Sequence, residues 1–141
     1  AALVREGADA LVIASGLMTH SALQAAEHLA GQGLSVGVVD LYRVKPLNEE
    51  WLSAVLRRYP RVFTLEEHAL VGGIGSAVSE LITDAGLPVS LRRLAWPDEH
   101  CREFCSREQI HARYQMDPAG IAAAIQGWLA RSSAGPRRRS T

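Results

Sequence analysis

The sequence predicts an α/β fold, a three-layer α/β/α domain in which a mostly parallel sheet lies between helices. Short apolar runs typical of buried strands alternate with stretches whose apolar residues recur at helical spacing. No internal repeat or linker interrupts this alternation before residue 131. The chain has 141 residues, 48% of them hydrophobic and 21% charged, which is enough for one domain with a buried core. We therefore expect a single domain over residues 1–131.

The first predicted elements lie before residue 34. Residues 9–15, DALVIAS, form a continuous apolar run, as expected for a strand covered on both faces, and residues 2–6, ALVRE, are a candidate edge strand. Thr19 can cap the helix that follows, and Gly31 and Gly33 end it. The inward stripe of this helix comprises Ala22, Leu23, Ala26, Leu29 and Ala30.

The middle of the chain repeats the alternation. Residues 34–40, LSVGVVD, and residues 61–66, RVFTLE, are predicted strands. Between them Asn48 follows the Lys45-Pro46 turn and can cap a helix. The inward side chains of that helix are Trp51, Leu52, Val55 and Leu56.

Three further elements complete the domain. A helix from Gly75 is stopped by Gly86 and Pro88, and residues 89–95, VSLRRLA, are the next strand. Ser106 and Gln109 have the spacing of a capping box. A last helix starts at Asp117-Pro118, and its apolar stripe is Ile121, Ile125 and Leu129.

Polar residues follow the predicted strands where ligands gather in such sheets. This rim could serve acid–base chemistry or could pair with a partner surface. Its members are Thr19, His20, Asp40, Arg43, Glu66, Glu67 and His68.

A glycine cluster, Gly72-Gly73-Ile74-Gly75, opens a predicted helix, and helix N-termini bind anions. However, the sequence lacks the third glycine of the dinucleotide-binding motif G-x-G-x-x-G, because Val78 occupies that position. The cluster also lags the strand by several residues, and no Walker-type motif is present. The pattern favours a close-packing turn over a phosphate site.

Cys101 and Cys105 lie near His100 and His111 and could be considered as zinc ligands. Their C-x3-C spacing is wider than the usual C-x2-C, and no second matched pair follows. We expect reduced, metal-free thiols.

Residues 1–131 carry 12 basic and 15 acidic groups, and the remaining basic groups fall in the last ten residues. Residues 132–141, rich in Ser and Arg, are predicted to be a disordered basic tail that does not bind nucleic acid.

The chain does not begin with Met, so we expect it to be a piece of a longer protein or a split subunit. No apolar run approaches the roughly 20 residues that span a membrane. No basic head precedes an apolar stretch at the start, so no signal peptide is expected. These features predict a cytoplasmic protein without membrane contact.

The stretch TLEEHALVGGIGSAVSELI, residues 64–82, closely resembles a segment of the C-terminal domain of thiamine-diphosphate-dependent enzymes of the transketolase family. Residues 4–52 look like the preceding part of that domain. AWPDEH with SREQIHARYQMDPAGIAAAI looks like its C-terminal part. The resemblance covers nearly all of residues 1–130. It implies a five-stranded mixed sheet whose first strand is antiparallel.

The resemblance also implies what this domain does. In the family, thiamine diphosphate and Mg²⁺ are bound by two other domains, so no catalytic, cofactor-binding or metal-binding residue is expected in this chain. The third domain packs against its neighbours and supports a homodimer or heterotetramer. The partners implied are upstream thiamine-binding domains or a separate subunit.

Transketolases, which transfer a two-carbon ketol unit between sugar phosphates, resemble the chain most, especially those split into two subunits. Deoxyxylulose phosphate synthases usually carry Asn where His68 stands, and 2-oxo acid dehydrogenase β subunits lack the E-E-H run. Asn48 replaces a usual Asp, and Cys105 stands near a common glycine. Both other enzymes remain alternatives, as does a stand-alone module binding a small anion at residues 72–75.

Six residues are the expected contacts with the neighbouring domains. We also expect Gly73→Val to impair assembly more than it unfolds this domain, because adjacent glycines allow a backbone to approach closely. The six candidates are His20, Glu67, His68, Gly72, Gly73 and Gly75.

Overall fold

The computed structural model of the chain describes residues 1–97 and 106–133. This part contains five strands and five helices that alternate as the apolar patterns predict. The strands are β1 (Ala2–Arg5), β2 (Ala10–Ala14), β3 (Val36–Asp40), β4 (Arg61–Ala69) and β5 (Ser90–Trp96). The helices are α1 (Leu17–Ala30), α2 (Glu49–Leu56), α3 (Ile74–Asp84), α4 (Arg107–Arg113) and α5 (Pro118–Ser133).

The strands form one mixed sheet in the order β1-β3-β2-β4-β5. β2, β3, β4 and β5 run parallel, and β1 pairs with β3 in the antiparallel direction. The five-stranded sheet with an antiparallel first strand, implied by the resemblance, is therefore confirmed. Every residue of the central strand β2 is buried, because helices cover both of its faces.

Side chains alternate between two apolar cores, one on each face of the sheet. Val12 and Phe63 face the core that α1 and α5 complete, and the Phe63 ring meets the Trp128 ring edge-on at 5.0 Å between centroids. Leu11 and Ile13 face the core that α2 and α3 complete. The prediction of three layers is confirmed.

Two of the three predicted helix caps are confirmed. The Asn48 side chain accepts a hydrogen bond of 3.1 Å from the Trp51 N–H, and Ser106 forms the predicted capping box with Gln109. The prediction for Thr19 is wrong. α1 begins three residues earlier, because its cap is Gly16, whose φ of 60° suits glycine, and the Thr19 hydroxyl donates to Asp40 instead.

Other details of the sequence prediction also change. Ala30, assigned to the inward stripe of α1, is exposed, whereas Ala25 is buried. α5 extends to Ser133, two residues past the predicted domain boundary. The cysteine pair with His100, and the tail from residue 134 onward, lie outside the described residues. No described helix is both long enough and apolar enough to cross a membrane.

Candidate functional site

A cleft of about 380 Å³ opens where parallel strands β2 and β4 end. Because parallel strands share one carboxyl edge, the loops after them converge there. Four of the six predicted contact residues, Glu67, His68, Gly72 and Gly73, line the cleft. The remaining lining residues are Ser15, Val44, Glu66 and Ile74.

Glu66 caps α3 from the neighbouring strand. The residue is only 5% exposed, and its Oε2 and Oε1 atoms accept hydrogen bonds of 2.7 and 3.0 Å from the N–H groups of Ile74 and Gly75. Two N–H groups and the positive end of the helix dipole thus stabilise a buried negative charge. The sequence placed Glu66 on the polar rim but did not identify this role.

Most N–H groups at the N-terminus of α3 are already bound within the chain. Ile74 and Gly75 donate to Glu66, and the N–H groups of Ser76 and Ala77 both donate to the Gly73 carbonyl, at 3.1 and 3.2 Å. The bond from Ala77 is the first regular bond of the helix, so Ile74, Gly75 and Ser76 are three of the four donors that a helix leaves unpaired in its first turn, and the fourth is the cap residue Gly73. The preference for a close-packing turn over a phosphate site therefore agrees with the geometry.

The glycines make room for this internal cap. A Cβ on Gly73 would overlap the Glu66 carboxylate, and one on Gly75 would lie 2.7 Å from Thr64 Oγ1 and 2.9 Å from Arg93 Cδ. The close approach that the sequence indicated is thus to this chain's own residues. The geometry does not support the expectation that Gly73→Val would leave this domain's stability nearly unchanged.

Arg93, which the sequence analysis did not single out, fastens the glycine loop to the sheet. Its Nη1 donates to the Leu70 carbonyl at 3.1 Å and to Ser76 Oγ at 3.3 Å. Its place on β5, opposite Thr64 of β4, brings it under the loop. No local motif signals this contact, because it depends on the pairing of two strands.

Glu67 turns to the other side of the strand and binds α4. Arg107 donates to it through Nε and Nη2 at 2.6 and 2.7 Å, and His111 Nε2 lies 2.8 Å from its Oε1. The Arg107 hydrogen bonds lower the pKa of Glu67, with a smaller contribution from His111 in the same direction. The Glu67 carboxylate is therefore engaged within this chain.

Two of the six predicted contact residues are histidines, and both are exposed. His68 Nδ1 lies 3.4 Å from the Ala69 carbonyl oxygen, and His20 projects from the first turns of α1. Of the other rim residues, Arg43 is exposed and Asp40 accepts the 3.1 Å bond from Thr19. The rim does not assemble an acid, a base and a nucleophile around one point.

The cleft does not offer a built site for a diphosphate or its metal ion. A diphosphate would need free donors, and at the start of α3 the N–H groups of Ile74, Gly75 and Ser76 are taken by Glu66 and by the Gly73 carbonyl. Within residues 1–97 and 106–133, no three His, Cys, Asp or Glu side chains are grouped so that they could hold a metal ion.

Comparison with known proteins gives a consistent family. The family model for the transketolase C-terminal domain matches residues 1–121. The 1-deoxy-D-xylulose-5-phosphate synthase of Syntrophotalea carbinolica is 42% identical over 126 residues, which are 89% of this chain and 20% of the relative. A transketolase family protein of Sinorhizobium fredii is 38% identical over 131 residues, 92% of this chain and 38% of the relative.

Solved structures agree with the sequence relatives. A split-gene transketolase, described as an inactive β4 tetramer, has a TM-score of 0.83 and 31% identity, over 92% of this chain and 42% of that chain. A transketolase of Pichia stipitis, 20% identical with a TM-score of 0.61, covers 91% of this chain and 17% of that chain and shows the shared fold alone. The chain spans about a fifth of the length of the first relatives it matches.

Proposed function

The chain belongs to the transketolase C-terminal domain family, and from this premise we propose that it is the assembly domain of a larger thiamine-diphosphate-dependent enzyme. The observation that supports this proposal best is that the acidic side chains of the cleft are bound within this domain. Glu66 is bound to α3 and Glu67 to α4, so the acids of the cleft hold this domain together. The domain supplies a preformed surface, and the chemistry takes place elsewhere.

The proposed reaction is transfer of a two-carbon ketol unit between sugar phosphates. In the complete enzyme, thiamine diphosphate and Mg²⁺ are held by the other domains. A second candidate is synthesis of 1-deoxy-D-xylulose 5-phosphate. Synthases of that name are 42% and 40% identical to this chain, which favours this candidate.

The proposed partners are the thiamine-binding domains of the same enzyme, either upstream in one chain or in a separate subunit. The split-gene transketolase, 31% identical to this chain, is a precedent for the arrangement in separate subunits. The complete enzyme would be a homodimer or a heterotetramer. It would work in the cytoplasm, where Cys101 and Cys105 would stay reduced.

Reconstitution tests the proposal. The thiamine-binding part is produced with and without this chain, and products from a ketose phosphate donor and an aldose phosphate acceptor are identified by mass spectrometry. We expect ketol transfer only when this chain is present. Formation of 1-deoxy-D-xylulose 5-phosphate instead would favour the second candidate. Full activity without this chain would contradict an assembly role.

A further inference from the structure

Exposed apolar side chains concentrate at one edge of the domain. Within the described part of the chain, five large hydrophobic residues are exposed. Four of them follow the carboxyl ends of parallel strands: Leu17 after β2, Tyr42 after β3, and Leu70 and Val71 after β4. Leu17 is 60%, Tyr42 67% and Val71 74% exposed. Exposed large apolar side chains that gather at one edge of a domain are typical of a site of protein contact.

These four residues lie in the same loops and helix start as residues that line the cleft. Leu17 lies two residues after Ser15, Tyr42 two residues before Val44, and Leu70 and Val71 immediately before Gly72, and all three of these neighbours line the cleft. We call Leu17, Tyr42, Leu70 and Val71, together with the cleft at the same edge, the carboxyl-edge surface. Its rim is apolar and its floor is acidic.

Glu66 forms the acidic floor. It is almost completely buried, and each of its oxygens accepts one N–H bond, although a carboxylate has acceptor sites for more. No cationic side chain of the described residues lies within 4.0 Å of it, since Arg107 binds Glu67 and Arg93 binds Leu70 and Ser76. Within the described part of the chain, two N–H groups stabilise the Glu66 carboxylate, and its remaining acceptor sites suit a positively charged group that arrives from a partner.

We propose that the carboxyl-edge surface receives the thiamine-binding part of the same enzyme, which places an Arg or Lys side chain in the cleft against Glu66. Apolar side chains of the partner then cover Leu17, Tyr42 and Val71. The volume of the cleft, about 380 Å³, is ample for one long basic side chain. This inference rests on the proposed function and adds to it the face used and the charge of the occupant.

The apolar rim is tested in the complete enzyme, in one chain or two subunits. Amide hydrogen exchange of residues 15–17, 42–44 and 70–74 should be at least tenfold slower than in the 141-residue chain alone. Val71→Asp and Leu17→Asp should each remove this protection and, where the enzyme has two subunits, should dissociate them in sedimentation. The matched control is Val4→Asp, at a residue that is 46% exposed on edge strand β1, and it should change neither measurement.

The charge of the occupant is tested with Glu66→Gln and with Glu27→Gln, a control at an exposed position of α1. Sedimentation at increasing salt should show dissociation of the unmodified enzyme, because a cation bound to a carboxylate is weakened by screening. Glu66→Gln should dissociate at least tenfold more readily and lose part of this salt dependence. A purely structural role of Glu66 would lower the melting temperature and leave the salt dependence unchanged.

Three results would overturn the inference. Unchanged assembly in Val71→Asp and Leu17→Asp would place the interface elsewhere, and an unchanged salt dependence in Glu66→Gln would exclude the basic side chain. If this chain alone forms a dimer that Val71→Asp dissociates, and the complete enzyme leaves the edge amides unprotected, the occupant is a second copy. Ketol transfer that does not need this chain would instead refute the proposed function.

Discussion

Glu67, near the end of β4, binds Arg107, the first residue of α4, through two parallel hydrogen bonds of 2.6 and 2.7 Å. The pair joins residues 40 positions apart in the chain. One turn further along α4, His111 reaches the same carboxylate, and its ring meets the Trp96 ring edge-on at 5.9 Å between centroids. One acid at a strand end therefore fixes the short helix α4 against the sheet.

Glu67→Gln should loosen α4 while leaving the sheet intact. The bidentate pair is partly shielded, with 40% and 31% of the two side chains exposed, so we expect a loss of about 1 kcal/mol in the free energy of unfolding. Urea unfolding measures this loss. Glu6→Gln, which breaks the more exposed Glu6–Arg58 pair, is the control and should cost less than about 0.5 kcal/mol. Equal losses in both variants would contradict a special role for Glu67.

The same pair predicts how stability depends on pH. The hydrogen bonds from Arg107 lower the pKa of Glu67 below its ordinary value of 4.5, so the folded protein holds this proton less tightly than the unfolded chain. The stabilisation is complete above pH 4.5 and is lost as the pH falls through the lowered pKa. The difference in melting temperature between the unmodified chain and Glu67→Gln should shrink over that range. A constant difference down to pH 2 would contradict the prediction.

Local signals were enough to predict the order of the elements. Asn48 was assigned correctly as a cap because it acts on an N–H only three residues away. Thr19 was assigned wrongly, because its hydroxyl binds Asp40, 21 positions away on a neighbouring strand. Apolar periodicity and capping residues report local structure, and a polar residue can serve a distant partner without altering either pattern.

The candidate site shows the same limit. The glycine cluster indicated a close approach by a neighbouring domain, and the sequence could not show that the carboxylate of Glu66 in this chain also lies against Gly73. Nor could it show that Glu67 and His111 meet, since that contact requires α4 to fold back over the end of β4. Both contacts depend on strand pairing and helix packing over long separations in sequence.

Gly73→Ala should destabilise this domain directly. The new Cβ would overlap the Glu66 carboxylate, so Glu66 must move away from α3 and lose its bonds to Ile74 and Gly75. Losing two charge-assisted bonds at a buried site should cost about 2–3 kcal/mol in the free energy of unfolding. The control is Gly127→Ala, because Gly127 lies within α5 with no atom near its added Cβ, and it should gain up to about 1 kcal/mol. An unchanged stability of Gly73→Ala in urea unfolding would show that Glu66 relaxes at no cost.

Glu66→Ala should convert the N-terminus of α3 into an anion site. Removing the carboxylate leaves the N–H groups of Ile74 and Gly75 without an acceptor at the positive end of the helix, and we expect a loss of about 2–3 kcal/mol. Inorganic phosphate should then bind these donors and raise the melting temperature of Glu66→Ala, while the unmodified chain shows no such effect, because Glu66 already occupies the donors.

Asn48→Ala is the matched control, since it uncaps the N-terminus of α2 at an exposed position where water can replace the lost acceptor. A chloride series at equal ionic strength separates phosphate binding from salt screening. Phosphate stabilisation of the unmodified chain to the same extent would mean that the anion binds elsewhere and that Glu66 does not block the helix.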